Sequence, residues 1–284
     1  SAGAEGNEAK SARELAEMMR SKVGRDGKPV FTEEEINNSV LAIDVTYPGF
    51  DGGPDFQGAN FEGKEGDVPP NAELLKQNPA LREKLDEIKK RGIVRGPKFF
   101  QPHLEKMLEE GKPVPEEVLV MAMTDLGGSG IASAEQFAME GDSEYWEVMP
   151  NIEKNLEGLT DNPGMDAERV LVIGNMKNWL KSQVGFVAWQ AIRFEKIMNL
   201  LKTKTHQLPE GASRKETNLR QMFGNYLKNM DAAMARAERV GAEVDKIQNE
   251  GLAEITNEED KKAKEEENRV KAFKYMALEM HYKV

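Results

Sequence analysis

Residues 125 to 136 read DLGGSGIASAEQ, and their side-chain oxygens are spaced as in a calcium-binding loop. A twelve-residue loop supplies calcium with oxygen from positions 1, 3, 5, 7, 9 and 12, and a glycine at position 6 makes the sharp turn. Here Asp125 stands at position 1, Ser129 at 5, Gly130 at 6, Ser133 at 9 and Gln136 at 12. Two positions fail. Gly127 at position 3 has no side chain, and Gln136 offers an amide where a bidentate carboxylate belongs. A hard divalent cation needs charge as well as oxygen, and Asp125 is the one carboxylate at a ligand position. The candidate metal ligands are Asp125, Ser129, Ser133 and Gln136, in a loop that keeps the shape of a calcium site with little of its charge. The competing expectation is a glycine-rich turn between two helices. Gly127-Gly128-Ser129-Gly130 also has the composition of a flexible linker.

The stretch thus resembles a degenerate EF-hand loop. A second one, DGKPVFTEEEI from Asp26 to Ile36, resembles the latter half of such a loop. There Pro29 takes the aliphatic position, and Lys22 and Gly24 take the first two ligand positions, so an ordinary capped turn is the alternative. Other chemistry is thinner. The chain has no cysteine, which removes disulfides, thiolate nucleophiles and cysteine-ligated metal. Its three histidines, His103, His206 and His281, are scattered and share no metal-spacing motif. No G-x-S-x-G elbow, phosphate-cradling glycine loop or dinucleotide fingerprint occurs. No catalytic or cofactor-binding residue is assigned. A helical enzyme built on carboxylates stays open as an alternative, although fifty acidic residues supply close pairs by chance.

Those acidic residues outnumber thirty-nine basic ones, for a net charge of −11. Nucleic acid and anionic membrane surfaces need clustered Lys and Arg, so neither is an expected partner. No run of eighteen apolar residues occurs, so no membrane span is expected. The sequence opens Ser-Ala-Gly without Met, which fits a processed organellar or secreted protein or an expression scar.

The elements that must position any site are helical. Residues 8 to 23 carry Leu15, Met18, Met19 and Val23 at helical spacing, and Thr32-x-x-Glu35 is a capping box opening a helix to about Ile43. Residues 47 to 70 hold six glycines and four prolines with Phe50, Phe56 and Phe61 among them, the composition of an extended arm laid on another surface. A helix over 71 to 91 is expected to lose its first turn at Pro79. Short helices follow Pro102, Pro115 and the Ser133-x-x-Gln136 cap. From Val170 to Leu201 a 3-4 apolar spacing persists with one exception, Lys177, and a second apolar face runs beside it. The same spacing recurs from Leu219 to Ile247, so two helices of about 30 residues should form an antiparallel hairpin. Thr256-x-x-Glu259 should cap a third helix with Val270, Phe273, Ala277 and Met280 inward.

The expected fold is all-α: a helical bundle on two long antiparallel helices plus a C-terminal helix. Its expected divisions are an N-terminal helical segment (1–46), an arm (47–70), a short-helix region (71–160) and the long-helix bundle (161–284). The expected function is a non-enzymatic protein-interaction or scaffold subunit, acting on protein partners or on itself. Phe50, Phe56, Phe61 and Trp146 are its candidate partner contacts, with Trp146 alternatively packed on the bundle end. A calcium-responsive module using residues 125 to 136 is the alternative.

Overall fold

The computed structural model describes residues 7–46, 49–50, 72–92, 99–149, 152, 156–208 and 213–281. Its first unit is a helical hairpin of α1 (Asn7–Arg20) and α2 (Glu33–Asp44). The capping box forms: Thr32 Oγ1 accepts from Glu35 N at 3.2 Å, and Glu35 Oε2 accepts from Thr32 N at 2.8 Å. Arg20 closes the hairpin on Glu33 with two bonds of 3.2 and 3.0 Å. Ala16, Met19 and Ile36 make a small core of its own.

Strand β1 (Gly49–Phe50) pairs antiparallel with β2 (Phe99–Phe100), a two-residue ladder in an otherwise all-α architecture. Most of the expected arm, with Phe56 and Phe61, lies outside the described residues. Pro79 splits its span as expected: α3 (Ala72–Gln77) ends, Asn78 caps Leu81 N at 3.1 Å, and α4 (Pro79–Lys90) starts on the proline. Then come α5 (Pro102–Glu109), α6 (Glu116–Ile131), α7 (Ala134–Val148) and α8 (Leu156–Asp161). Pro115 is the N-cap of α6, one residue outside the helix.

Helix α9 (Asp166–Leu200) has 35 residues and is about 52 Å long at 1.5 Å per residue. Its apolar seam is buried from Ile173 to Leu201, and Lys177, the exception, reaches Asp245 at 2.7 Å. Val170, expected in that seam, is 47% exposed: with Leu171 it lies on the outer side of turns whose inner side buries Arg169, Val172 and Ile173. Residues 187 to 194 are buried without interruption, so for two turns α9 has neighbours on every side. The helix runs into a π turn (Leu201–Thr205) and stops at His206, whose φ of 54° is left-handed.

The second long helix differs from expectation. It is broken at residues 223 to 225 into α10 (Arg214–Met222) and α11 (Tyr226–Asn249). The seam nevertheless continues across the break through Leu219, Phe223, Tyr226 and Met230, all buried. Ion pairs Glu195–Arg220, from the end of α9 to α10, and Lys177–Asp245, from near its start to α11, show that the α10–α11 run is antiparallel to α9. The last helix, α12 (Glu258–Glu279), is capped by Asn257 and not by Thr256: Asn257 Oδ1 accepts from Glu259 N at 2.8 Å and Asp260 N at 3.3 Å. Phe273, Ala277 and Met280 are fully buried, as their spacing required.

Two larger cores form, and α9 serves both. Its C-terminal half packs with α4, α5, α6 and the Leu219–Met234 seam, while its N-terminal half packs with α7, α12 and the rest of α11. Among the described residues no helix is long and apolar enough to cross a membrane.

The double-sided burial of α9 makes a measurable contrast. Ile197→Ala, at a fully buried position, is expected to cost about 2–5 kcal/mol. Val170→Ala is expected to stay within about 0.5 kcal/mol of wild type. Urea denaturation of the two variants checks both; similar losses would contradict the assigned packing.

Candidate functional site

The glycine-rich stretch is helix. α6 runs through Asp125 to Ile131, and only Ala132 and Ser133 separate it from α7. This corrects the expected loop or linker. Glycine weakens a helix by about 1 kcal/mol relative to alanine, so tertiary contacts must offset it. They come from the break before α11. Asn225 N donates to Gly130 O at 3.0 Å, and Asn225 Nδ2 to Ile131 O at 2.9 Å. Asn229 Nδ2 donates to Ser129 O at 2.6 Å and Ala132 O at 3.0 Å. Four carbonyls that a helix end leaves without partners are thus satisfied by a neighbouring helix. A Cβ on Gly130 would lie 2.4 Å from the Tyr226 ring, so only glycine lets the two backbones meet here.

The candidate metal ligands are disposed accordingly. Asp125 is exposed on α6, while Ser129 is buried, its hydroxyl without a hydrogen-bond partner among the described residues. Ser133 Oγ caps α7 by accepting from Gln136 N at 3.2 Å, and Gln136 Nε2 donates to Glu140 at 2.8 Å. Calcium at this place would require α6 to unwind from Asp125 onward. The Asp26 stretch is a tight turn: Gly27 is left-handed at φ 77°, Asp26 Oδ1 accepts from Lys28 N, and Val23 bridges Pro29. Among the described residues no group of three His, Asp or Glu side chains is placed to hold a metal.

Two polar clusters stand out instead. In the first, Arg193 Nη2 donates to Met123 O at 3.1 Å, Gln101 Nε2 donates to the adjacent carbonyl of Ala122, and Lys196 pairs with Glu105. Burial pulls the Arg193 guanidinium below its ordinary pKa, and burial pushes the Tyr226 hydroxyl up. This cluster ties α5 and α9 to α6.

The second cluster joins α7, α11 and the end of α12. Asp142, 1% exposed, accepts two bonds from Arg236, at 3.0 and 2.7 Å, and lies 2.5 Å from His281 Nδ1. Arg236 also donates to the Glu279 carbonyl, and Arg239 grips the Glu279 carboxylate at 2.9 and 2.7 Å. Hydrogen bonding from Arg239 holds Glu279 below the usual carboxylate range, and Glu279 in turn raises Arg239. The Asp142–His281 contact ties the end of α12 to α7.

Trp146 belongs to this region. It is half-buried, its ring meets Tyr145 edge-on at 5.1 Å, and its Nε1 donates to Met280 O at 2.9 Å. It therefore packs on the bundle end. Phe50 lies in β1. Beside the Asp142 cluster a cleft of about 380 Å³ opens between α7, α9 and α11, over Phe137 and Leu180, between Ala138 and Ala233, with Arg236 and Arg239 at one side.

Two outcomes are expected. Gly130→Ala should destabilise the fold by about 1–3 kcal/mol. Gly128→Ala, whose Cβ would meet nothing nearer than 4.0 Å, should stabilise it by up to about 1 kcal/mol; chemical denaturation reads both signs. Millimolar calcium should leave the circular dichroism and melting temperature unchanged, whereas a calcium-dependent rise in either would restore the loop. Set against known proteins, the chain matches no family model, no curated protein and no solved structure.

Proposed function

We propose that the chain is a non-enzymatic protein-interaction subunit whose helical body presents an apolar tip, the turn of the α1–α2 hairpin, to a protein partner. The observation that carries this is the exposure of three large apolar side chains on one small unit, Met18 at 51%, Val23 at 60% and Val30 at 53%, with the exposed charges of Lys22, Arg25, Asp26 and Lys28 around them. Single exposed apolar residues are ordinary, whereas grouped ones mark interaction sites. This tip is also held in shape. Val30 N bonds Lys22 O at 3.0 Å, Val23 bridges Pro29, and Gly27 supplies the left-handed residue the turn requires. A pre-ordered contact surface loses less entropy on binding than a loose one.

The hairpin's own core supports its display apart from the main body, to which α2 is joined along α6, with Asn38 bonding Glu117 at 3.3 Å. The net charge of −11 favours a protein partner over nucleic acid. The glycine- and phenylalanine-rich segment 47–70 is, by composition, a second contact element.

A photo-crosslinking residue at position 23 of the full chain, irradiated in native extract, should yield a discrete protein adduct. The same residue at Lys262, on an exposed face of α12, should yield none, and Val30→Asp should abolish the adduct while shifting stability by no more than about 0.5 kcal/mol. Equal labelling at both positions, or none at position 23, rejects the proposal.

A further inference from the structure

The cleft between α7, α9 and α11 has features that packing alone does not require. Its floor is apolar, since Phe137 and Leu180 are 6% and 3% exposed. Its helical walls carry short side chains, Ala134 and Ala138 from α7 and Ala232, Ala233 and Ala235 from α11. Its volume of about 380 Å³ falls within the roughly 300–1,000 Å³ of small-molecule sites. Sites of that kind combine an apolar lining with a few polar groups that fix orientation. Here those groups are Arg236 and Arg239, one helical turn apart on α11, together with Gln183 and the Glu135 carboxylate, so an anion is directed to the arginine side.

The two arginines are not equivalent. Arg236 is mostly buried and bonded to the buried Asp142, so its charge is fixed in place. Arg239 is 58% exposed and paired with Glu279 at the surface. The pair is two-pronged, Nη1 and Nη2 on the two oxygens of a Glu279 that is 23% exposed, so an incoming oxygen anion would share the guanidinium with Glu279 and not displace it. The terminal nitrogens of Arg239 serve Glu279 and Tyr275, and its Nε–H takes part in none of those bonds. A planar guanidinium with a donor to spare is the group that suits an oxygen anion.

We propose that this cleft binds a small amphiphile, with its apolar body over Phe137 and Leu180 between the alanines and an anionic oxygen head at Arg239. The site is independent of the hairpin tip and is tested separately from it.

The probes are anilinonaphthalene sulfonate and its sulfonate-free parent, N-phenylnaphthylamine, titrated by fluorescence into the full chain. The sulfonate should bind saturably at one site, and roughly fivefold more tightly than the neutral parent, the size of one exposed charge-assisted contact. Ala138→Trp, which fills the cleft, should abolish saturable binding. Ala235→Leu, a substitution at an exposed position of the same wall, provides a second block should the first disturb folding, which circular dichroism reports. Arg239→Gln should bring the two probes to equal affinity. Val23→Asp, at the hairpin tip, should change neither. Binding that survives both blocking variants, or no saturable binding at all, overturns the site. Equal affinity of the two probes for the wild-type chain overturns the placing of the head at Arg239.

Discussion

The structure depends on one constraint: the middle of α9 is enclosed. From residue 187 to 194 every side chain is buried, including Gln190 and Arg193. A helix with one apolar stripe needs one neighbour, whereas a helix buried all round needs a cage. α4, α5 and α6 provide one side of that cage, and α10 and α11 the other. Their lengths, crossings and breaks are answers to the shape of α9. Enclosing a guanidinium in that cage is costly unless its hydrogens find oxygen. The Met123 carbonyl receives one of them, which fixes α6 along α9 at a definite height.

That height decides where α6 must end, and the end is unusual. A helix commonly terminates on its own C-terminal glycine or on water. α6 instead hands four carbonyls to Asn225 and Asn229. Three of the four bonds come from the side-chain amides of Asn225 and Asn229, and the fourth depends on the interruption of the neighbouring helix at residues 223 to 225. The interruption frees the Asn225 backbone N–H, which a continuous helix would have consumed internally. The break in one helix and the glycines in the other are therefore a single device: the first exposes a backbone donor, and the second lets Tyr226 and its backbone approach closely enough to use it.

Much of this was legible in the sequence, for a physical reason. The cap at Thr32, the cap at Ser133, the Pro79 split and the seam of α9 are local: each is written within a few residues or in a period. The device at Gly130 was not. Local propensity reads Gly-Gly-Ser-Gly as a turn, and the four carbonyl bonds that make it helix come from residues about a hundred positions away. The shift of the α12 cap from Thr256 to Asn257 has a different cause. Two good capping residues were adjacent, and Asn257 satisfies two backbone N–H groups at once. Asp142, Arg236 and His281 gave no sequence signal at all, because a chain with fifty acidic residues offers too many partners for each arginine.

The two arginines of the cleft show how burial sorts identical side chains into different work. Asp142 is 1% exposed, so removing Arg236 would strand a charge where water cannot reach it. Arg236 is thereby obligatory, and by also holding the Glu279 carbonyl it fixes the last turn of α12 against α7 and α11. Arg239 places its terminal nitrogens on Glu279, with two bonds, and on Tyr275, with one, at a half-exposed position where its Nε–H takes part in none of them. It lies one turn from the buried pair of Arg236 and Asp142. A buried cation next to a half-exposed one with a donor to spare, beside buried apolar side chains, is an arrangement suited to recognition. For stability alone, an apolar side chain in place of an alanine would have closed the cleft at gain, since filling such a space adds buried contact.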